Sequence, residues 1–204
     1  MSTAPGTRVT AALAGGHPVI VLDEHGTAEL VVAAAVASTS SLAFLIRHGS
    51  GFVRVALTGQ ACDRLGLPPV TARGPYRCAQ AIAVDAAEDV STGISAADRC
   101  RAVRLLADPA TEPGQLRRPG HTVPLRAWPT GGVFDEPGVA EAGVELARLA
   151  GLEPASVLCG LVSRSDPCAM AGHAEARAFA GEHGLCVTSV AELFAVAAEE
   201  RRAG

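Results

Sequence analysis

Lysine does not occur in this chain, and aromatic residues make up only 3% of it. Without lysine no side chain can form an imine with a carbonyl substrate, so Schiff-base chemistry is excluded. The 17 basic residues are all arginine, scattered along a chain of net charge -4. They form no stripe of the kind that gathers onto a phosphate backbone, and nucleic acid is not an expected partner. No Cys-x-x-Cys pair occurs among Cys62, Cys78, Cys100, Cys159, Cys168 and Cys186; in a reducing compartment such cysteines read as small buried apolar residues. The nearest approach to a zinc pattern, Cys168, His173, His183 and Cys186, has inner spacings that match no structural zinc module. Long apolar runs are missing too. The amino-terminal stretch is broken by Gly15, Gly16 and Pro18 and has no basic region ahead of it, so neither a leader peptide nor a membrane span is expected, and the chain is placed in the cytoplasm.

What is there suits a folded domain. The 204 residues are 49% hydrophobic and 19% charged, enough to bury a core as one domain, 1–204, with residues 1–16 flexible or peripheral. Richness in alanine, glycine and arginine points to a GC-rich genome and a bacterial setting. Short β-branched runs at Pro18–Asp23, Glu29–Val36, Phe52–Leu57, Gln80–Asp85, Ser156–Leu161 and Leu185–Thr188 read as strands. Ser95 with Asp98 and Ser189 with Glu192 are capping boxes that start helices at Ala96–Ala107 and Val190–Arg202. Apolar spacing adds a helix over Val139–Ala150, and another carries His173 and stops near Gly184. Strands and helices alternate without strict βαβ regularity, which predicts a layered α+β domain. Asp108–Pro124 and Trp128–Gly138 read as long Pro/Gly-rich loops, the kind that carry function.

Four segments stand out in order: Val19-Ile20-Val21-Leu22-Asp23, Ile46-Arg47-His48-Gly49-Ser50-Gly51, Ser91-Thr92-Gly93-Ile94-Ser95-Ala96-Ala97-Asp98-Arg99, and Arg118-Pro119-Gly120-His121 leading to Pro124-Leu125-Arg126-Ala127. Leu149-Ala150-Gly151 and Val157-Leu158-Cys159 extend the set. Together they resemble the 3,4-dihydroxy-2-butanone 4-phosphate synthase family over roughly residues 18–195. The resemblance implies a three-layer α/β/α domain with a mixed sheet, assembled as a homodimer. It also implies a reaction that removes C4 of ribulose 5-phosphate as formate, with Mg²⁺ polarising the sugar oxygens and carboxylates moving protons.

Carried over residue by residue, the family's Arg-Glu pair after the first strand falls on Thr27 and Ala28, and its later Asp on Val32. In the second loop the family Arg falls on Glu136, the metal-binding His on Val139 and the Thr on Ala140, while Gly138 and Glu141 stay in register. The Glu after the Leu-Cys strand becomes Gly160, and a Cys of bacterial relatives becomes Arg54. Shifting the first loop by a residue or two lets Glu24 or Glu29 approximate the missing carboxylate. No metal site is expected from this set, because a divalent ion needs several ligands and one carboxylate holds it weakly.

Among the residues that remain, His121 is the acid/base candidate or, on the plainer reading, a loop histidine bonded to backbone. Arg54 on a strand needs a carboxylate partner or an anionic ligand if buried, and otherwise reaches solvent. Asp23 completes the catalytic set. Arg47, His48, Ser50, Thr92, Glu136, Val139 and Glu141 are the substrate-binding candidates, the Gly-Ser-Gly turn being able to present backbone amides to an anion. That turn lacks the third glycine of a dinucleotide fingerprint. The expectation is therefore a repurposed enzyme without cofactor, catalysing a metal-independent lyase, isomerase or cyclisation reaction on an unphosphorylated small molecule in bacterial specialised metabolism. Two other readings stand beside it: a non-catalytic member that binds a ligand or partner, and a true synthase of riboflavin biosynthesis.

Overall fold

In the computed structural model, which describes residues 5–70, 79–128, 138–166 and 168–203, period-two alternation along the strands decides which layer each side chain enters. In β1 (Val19–Leu22) and β2 (Ala28–Ala33), Ile20, Leu22, Leu30 and Val32 enter one core while Val19, Val21, Val31 and Ala33 enter the other. Every residue of both strands is buried, as expected of strands covered on two faces. The remaining strands are β3 (Arg54–Leu57), β4 (Ala79–Gln80), β5 (Val84–Ala86), β6 (Leu116–Arg126), β7 (Ala155–Gly160) and β8 (Cys186–Ser189). The main path runs β4-β6-β3-β7-β2-β1-β8, with β5 paired to β6 beside it. β1/β8 and β3/β6 are parallel and the other pairs antiparallel, so the sheet is mixed.

Helices cover both faces. Over the first core lie α2 (Thr39–His48), α4 (Ala96–Ala107) and α6 (His173–His183), which contribute Leu42, Leu45, Val103, Leu106 and Phe179. Over the second lie α1 (Pro5–Ala14), α5 (Val139–Leu149) and α7 (Val190–Ala203), contributing Val9, Leu13, Leu146 and Leu193. The short α3 (Gly59–Arg64) follows β3 and is capped by Thr58. The capping box at Ser189 forms as expected, whereas at Ser95 only the bond from Asp98 N to Ser95 Oγ forms, because the Asp98 carboxylate turns to Ser91 and Gly93 instead. Helix α6 ends on Gly184 at φ 65. This is the expected α+β, three-layer α/β/α architecture. None of the described helices is long and apolar enough to cross a membrane.

One segment departs from expectation. Asp108–Pro124 is not all loop, because β6 begins at Leu116 and runs through Pro119, Gly120 and Pro124. Pro124 cannot donate to a ladder, yet its carbonyl still accepts from Ala81 N at 3.0 Å. The cysteines also divide: Cys62, Cys100 and Cys159 are buried, whereas Cys168 is exposed and Cys186 half-buried. Burial pushes the Cys62 thiol up to about 11.

Candidate functional site

Three neighbouring strands build the first half of the site. Glu29 on β2 stands opposite Gly160 on β7, and Arg54 on β3 stands opposite Leu158 two residues back on the same strand. The alternation that sends Ala28 and Leu30 to the first core leaves Glu29 on the face under α5 together with Arg54. Arg54 Nη2 donates to Glu29 Oε1 at 2.5 Å, and both residues are buried. Burial pushes the Glu29 carboxyl above its usual range, while the Arg54 charge and hydrogen bond pull it part of the way back. The second oxygen, Glu29 Oε2, is sealed from solvent without a hydrogen-bond partner. A Cβ at Gly160 would lie 3.6 and 3.9 Å from the two Glu29 oxygens, but 2.5 Å from Met170 Cε. Met170 therefore fills the space into which a side chain at 160 would grow. Phe52, 47% exposed, forms the rim with the Arg54 guanidinium 5.8 Å from its ring centre, close enough for a cation–π contact.

The second half lies on β5 and β6. Asp85 Oδ2 meets His121 Nδ1 at 3.0 Å, and its Oδ1 accepts from His121 N at 2.9 Å. The Asp85 side chain is 4% exposed and that of His121 40%, so a buried carboxylate orients a ring whose other nitrogen is left for chemistry. Arg117 Nη2 stands 4.0 Å from the same carboxylate. Gly93 makes this approach possible: at φ 86, an added Cβ would fall 2.2 Å from Asp85 Oδ2 and 2.7 Å from His121 Nδ1. Asp98 fixes that loop by accepting from Ser91 Oγ at 2.8 Å and from Ser91 N and Gly93 N, bonds that hold its carboxyl below the usual range. Phe52 precedes Arg54 by two residues and His121 precedes Val123, the β6 partner of Arg54, by two. The ion pair and the dyad thus share one face of adjacent strands.

The other expected residues have definite places. Asp23 accepts from His25 N, Thr27 N and Thr27 Oγ1, so its carboxylate ties the β1–β2 turn. Glu141 accepts from Trp128 N and Gly138 N, each at 3.0 Å, and caps α5. Val139 opens that helix, half-buried against the second core. Ser50 N donates to Gly160 O at 2.8 Å, which brings the Gly-Ser-Gly turn beside the ion pair. Thr92 and Arg47 are exposed. His48 packs with Phe44, Phe179 and His183 on the first-core side, away from Arg54. Glu136 lies outside the described residues. Sequence reasoning passed over Asp85 and Met170; an acidic residue ending a strand was the only signal for the first, and nothing local marked the second.

The family resemblance seen over roughly residues 18–195 holds for most of the chain. The model of the 3,4-dihydroxy-2-butanone 4-phosphate synthase family matches residues 7–196. The riboflavin biosynthesis protein RibBA of Nocardia farcinica is 47% identical over 193 residues, which are 92% of this chain and 46% of that protein. RibBA of Mycobacterium ulcerans is 46% identical over 91% of this chain and 45% of its own length. The chain thus spans about half the length of these relatives. Among solved structures, a 3,4-dihydroxy-2-butanone 4-phosphate synthase in complex with two magnesium ions superposes with a TM-score of 0.86 at 36% identity, covering 95% of this chain and 96% of that one. The Candida albicans synthase gives 0.86 at 35% identity, covering 96% and 98%. Relatives of this closeness, named for riboflavin biosynthesis, overturn the expectation of a repurposed enzyme working on an unphosphorylated molecule in specialised metabolism. A magnesium ion does not fit the donor set in view, however. Among the described residues no three His, Cys, Asp or Glu side chains come together, Glu29 is held by Arg54, Glu141 is engaged with two backbone N–H groups, and Val139 and Gly160 offer no donor.

Proposed function

This chain belongs to the 3,4-dihydroxy-2-butanone 4-phosphate synthase family, and from that premise we propose that it acts as a synthase of riboflavin biosynthesis, converting ribulose 5-phosphate to 3,4-dihydroxy-2-butanone 4-phosphate and formate. The observation that carries this reading is identity of 47% over 92% of the chain to a riboflavin biosynthesis protein. Substrate atoms are fully accounted for by the two products, so no oxidant is needed. His121 is the proton carrier: its Nδ1–H donates a hydrogen bond to Asp85, which leaves Nε2 with a lone pair to remove a proton next to the carbonyl and return it later. Arg54 supplies a fixed positive charge and Phe52 a wall that limits water at the rim. We place the protein in the cytoplasm as a homodimer, the assembly the family resemblance implies.

Within that reading the chain is a divergent member, with Gly160 and Val139 at positions of metal-binding side chains and Glu136 at that of a phosphate-binding arginine. Losing one preorganised electrostatic donor costs about 10²- to 10³-fold in rate, so turnover below that of the RibBA relatives is expected. The test is formate release from ribulose 5-phosphate, followed with a formate-specific coupled assay and with the phosphorylated product identified by mass. Formation of formate and product in equal amounts supports the proposal. Binding of ribulose 5-phosphate without either product would overturn it in favour of a family member that binds and does not turn over.

A further inference from the structure

We infer that Arg54 is a built-in cation at this site: its guanidinium holds the Glu29 carboxylate against a divalent metal ion, so that Glu29 becomes a metal ligand only when Arg54 is removed. The inference rests on family membership but not on turnover. Its first support is geometric. Glu29 is the only acidic residue of β2 and faces Gly160 across the ladder, so a carboxylate at 160 would meet it. The chain has glycine there and lets the Met170 methyl occupy the space. Its second support is the pairing itself. Glu29 Oε1 receives the Arg54 hydrogen bond, and Oε2 is closed off from solvent, so a hydrated cation has no open approach to it. A divalent ion on either oxygen would stand beside the guanidinium and suffer repulsion from a like charge in a poorly hydrated pocket. The third is α5, the helix over this face of the sheet, where Val139 at the first position brings an aliphatic side chain and no metal donor.

The experiment reads metal binding directly. Mn²⁺ alone is titrated into the full chain and followed by the paramagnetic resonance of free Mn²⁺, so its outcome is separate from that of the formate assay. Four proteins are compared: the unaltered chain, Val139→His with Gly160→Glu, the same pair with Arg54→Ala, and the pair with Arg54→Lys. The unaltered chain and the pair alone should show no stoichiometric site with a dissociation constant below 1 mM, a bound at the weak limit of cation sites on the order of 10⁻³ M. Adding Arg54→Ala should tighten binding at least tenfold, and Arg54→Lys, which keeps the charge, should not. A stoichiometric sub-millimolar site in the unaltered chain overturns the inference without any variant having to fold. So does equal affinity with and without Arg54 in the paired background. Far-ultraviolet circular dichroism and the thermal midpoint establish that each variant is folded before it is scored.

Discussion

At the scale of single residues, the site depends on carboxylates that have been given a geometric task. Asp85 accepts from both the ring and the backbone of His121, so it sets the tautomer as well as the ring orientation. Asp85→Asn keeps the shape but cannot stabilise the protonated ring. If His121 moves the proton, the rate constant for ribulose 5-phosphate should fall by about 10²- to 10⁴-fold, the usual contribution of a positioned acid or base. The pH at which activity rises should shift as well, Asp85→Glu should recover part of the rate, and KM should change little. A fall in thermal midpoint with an unaltered pH profile would reduce Asp85 to a structural role. His121 was legible in the sequence as a histidine in a Pro/Gly context, but its partner was not, since Asp85 is 36 residues away and joined to it only by strand pairing. Arg54 was legible as a charge needing a partner. Glu29 was seen only as the result of a shifted register, because whether Ala28 or Glu29 faces the pocket is decided by one residue of phase.

Elements differed in how plainly they announced themselves. Strands β1, β2, β3 and β7 are short, mostly apolar runs closed by turns, α4 starts at an N-cap serine and α7 carries a side-chain box at its first turn. By contrast α2 starts with Ser38 and Ser41 bonded to each other's backbone N–H groups, a serine version of the box that the Glu-based pattern does not detect. β6 was hidden for another reason: its prolines and glycine read as loop, while its pairing with β3 and β5 depends on chain brought from far away. Gly120 is where that pairing is tightest. A Cβ there would lie 2.1 Å from Val84 C and 2.2 Å from Asp85 N, both backbone atoms that cannot step aside. Gly120→Ala should therefore push β5 from β6, at a cost of about 1–3 kcal/mol or more as an overpacked substitution. Urea unfolding should show a lower midpoint, with His121 losing its hold on Asp85. An unchanged midpoint would mean that the strands separate without loss and that β5 adds little to stability.

Across the whole molecule aromatic residues are few, and two of the five phenylalanines meet two histidines at one place. Phe44 and His48 on α2 meet Phe179 and His183 on α6, with ring centres 4.2 to 5.5 Å apart along the closest contacts. This cluster clamps the two helices over the first core at the ends where each helix exposes its last carbonyls. The alternation of strands and helices that predicted a layered domain could not show it, because the contact joins residues 48 and 183 through the tertiary fold alone. The cluster also makes stability depend on pH. Burial, then the nearby charges of His183, Arg47 and Arg164, lower the His48 pKa below its ordinary 6.5. Between that lowered value and 6.5 the unfolded chain takes up a proton that the folded chain refuses. The His48 contribution is accordingly present in full above 6.5 and is lost as the pH falls through 6.5 toward the folded-state value. His48→Phe keeps an aromatic ring in the cluster and removes the titration. Urea midpoints measured for both proteins between pH 8 and pH 5.5 (about the span over which an ordinary histidine charges) should converge or cross: the unaltered chain loses more stability on acidification than the variant. Parallel curves would mean that His48 titrates alike in both states, and that the cluster joins α2 to α6 by packing alone.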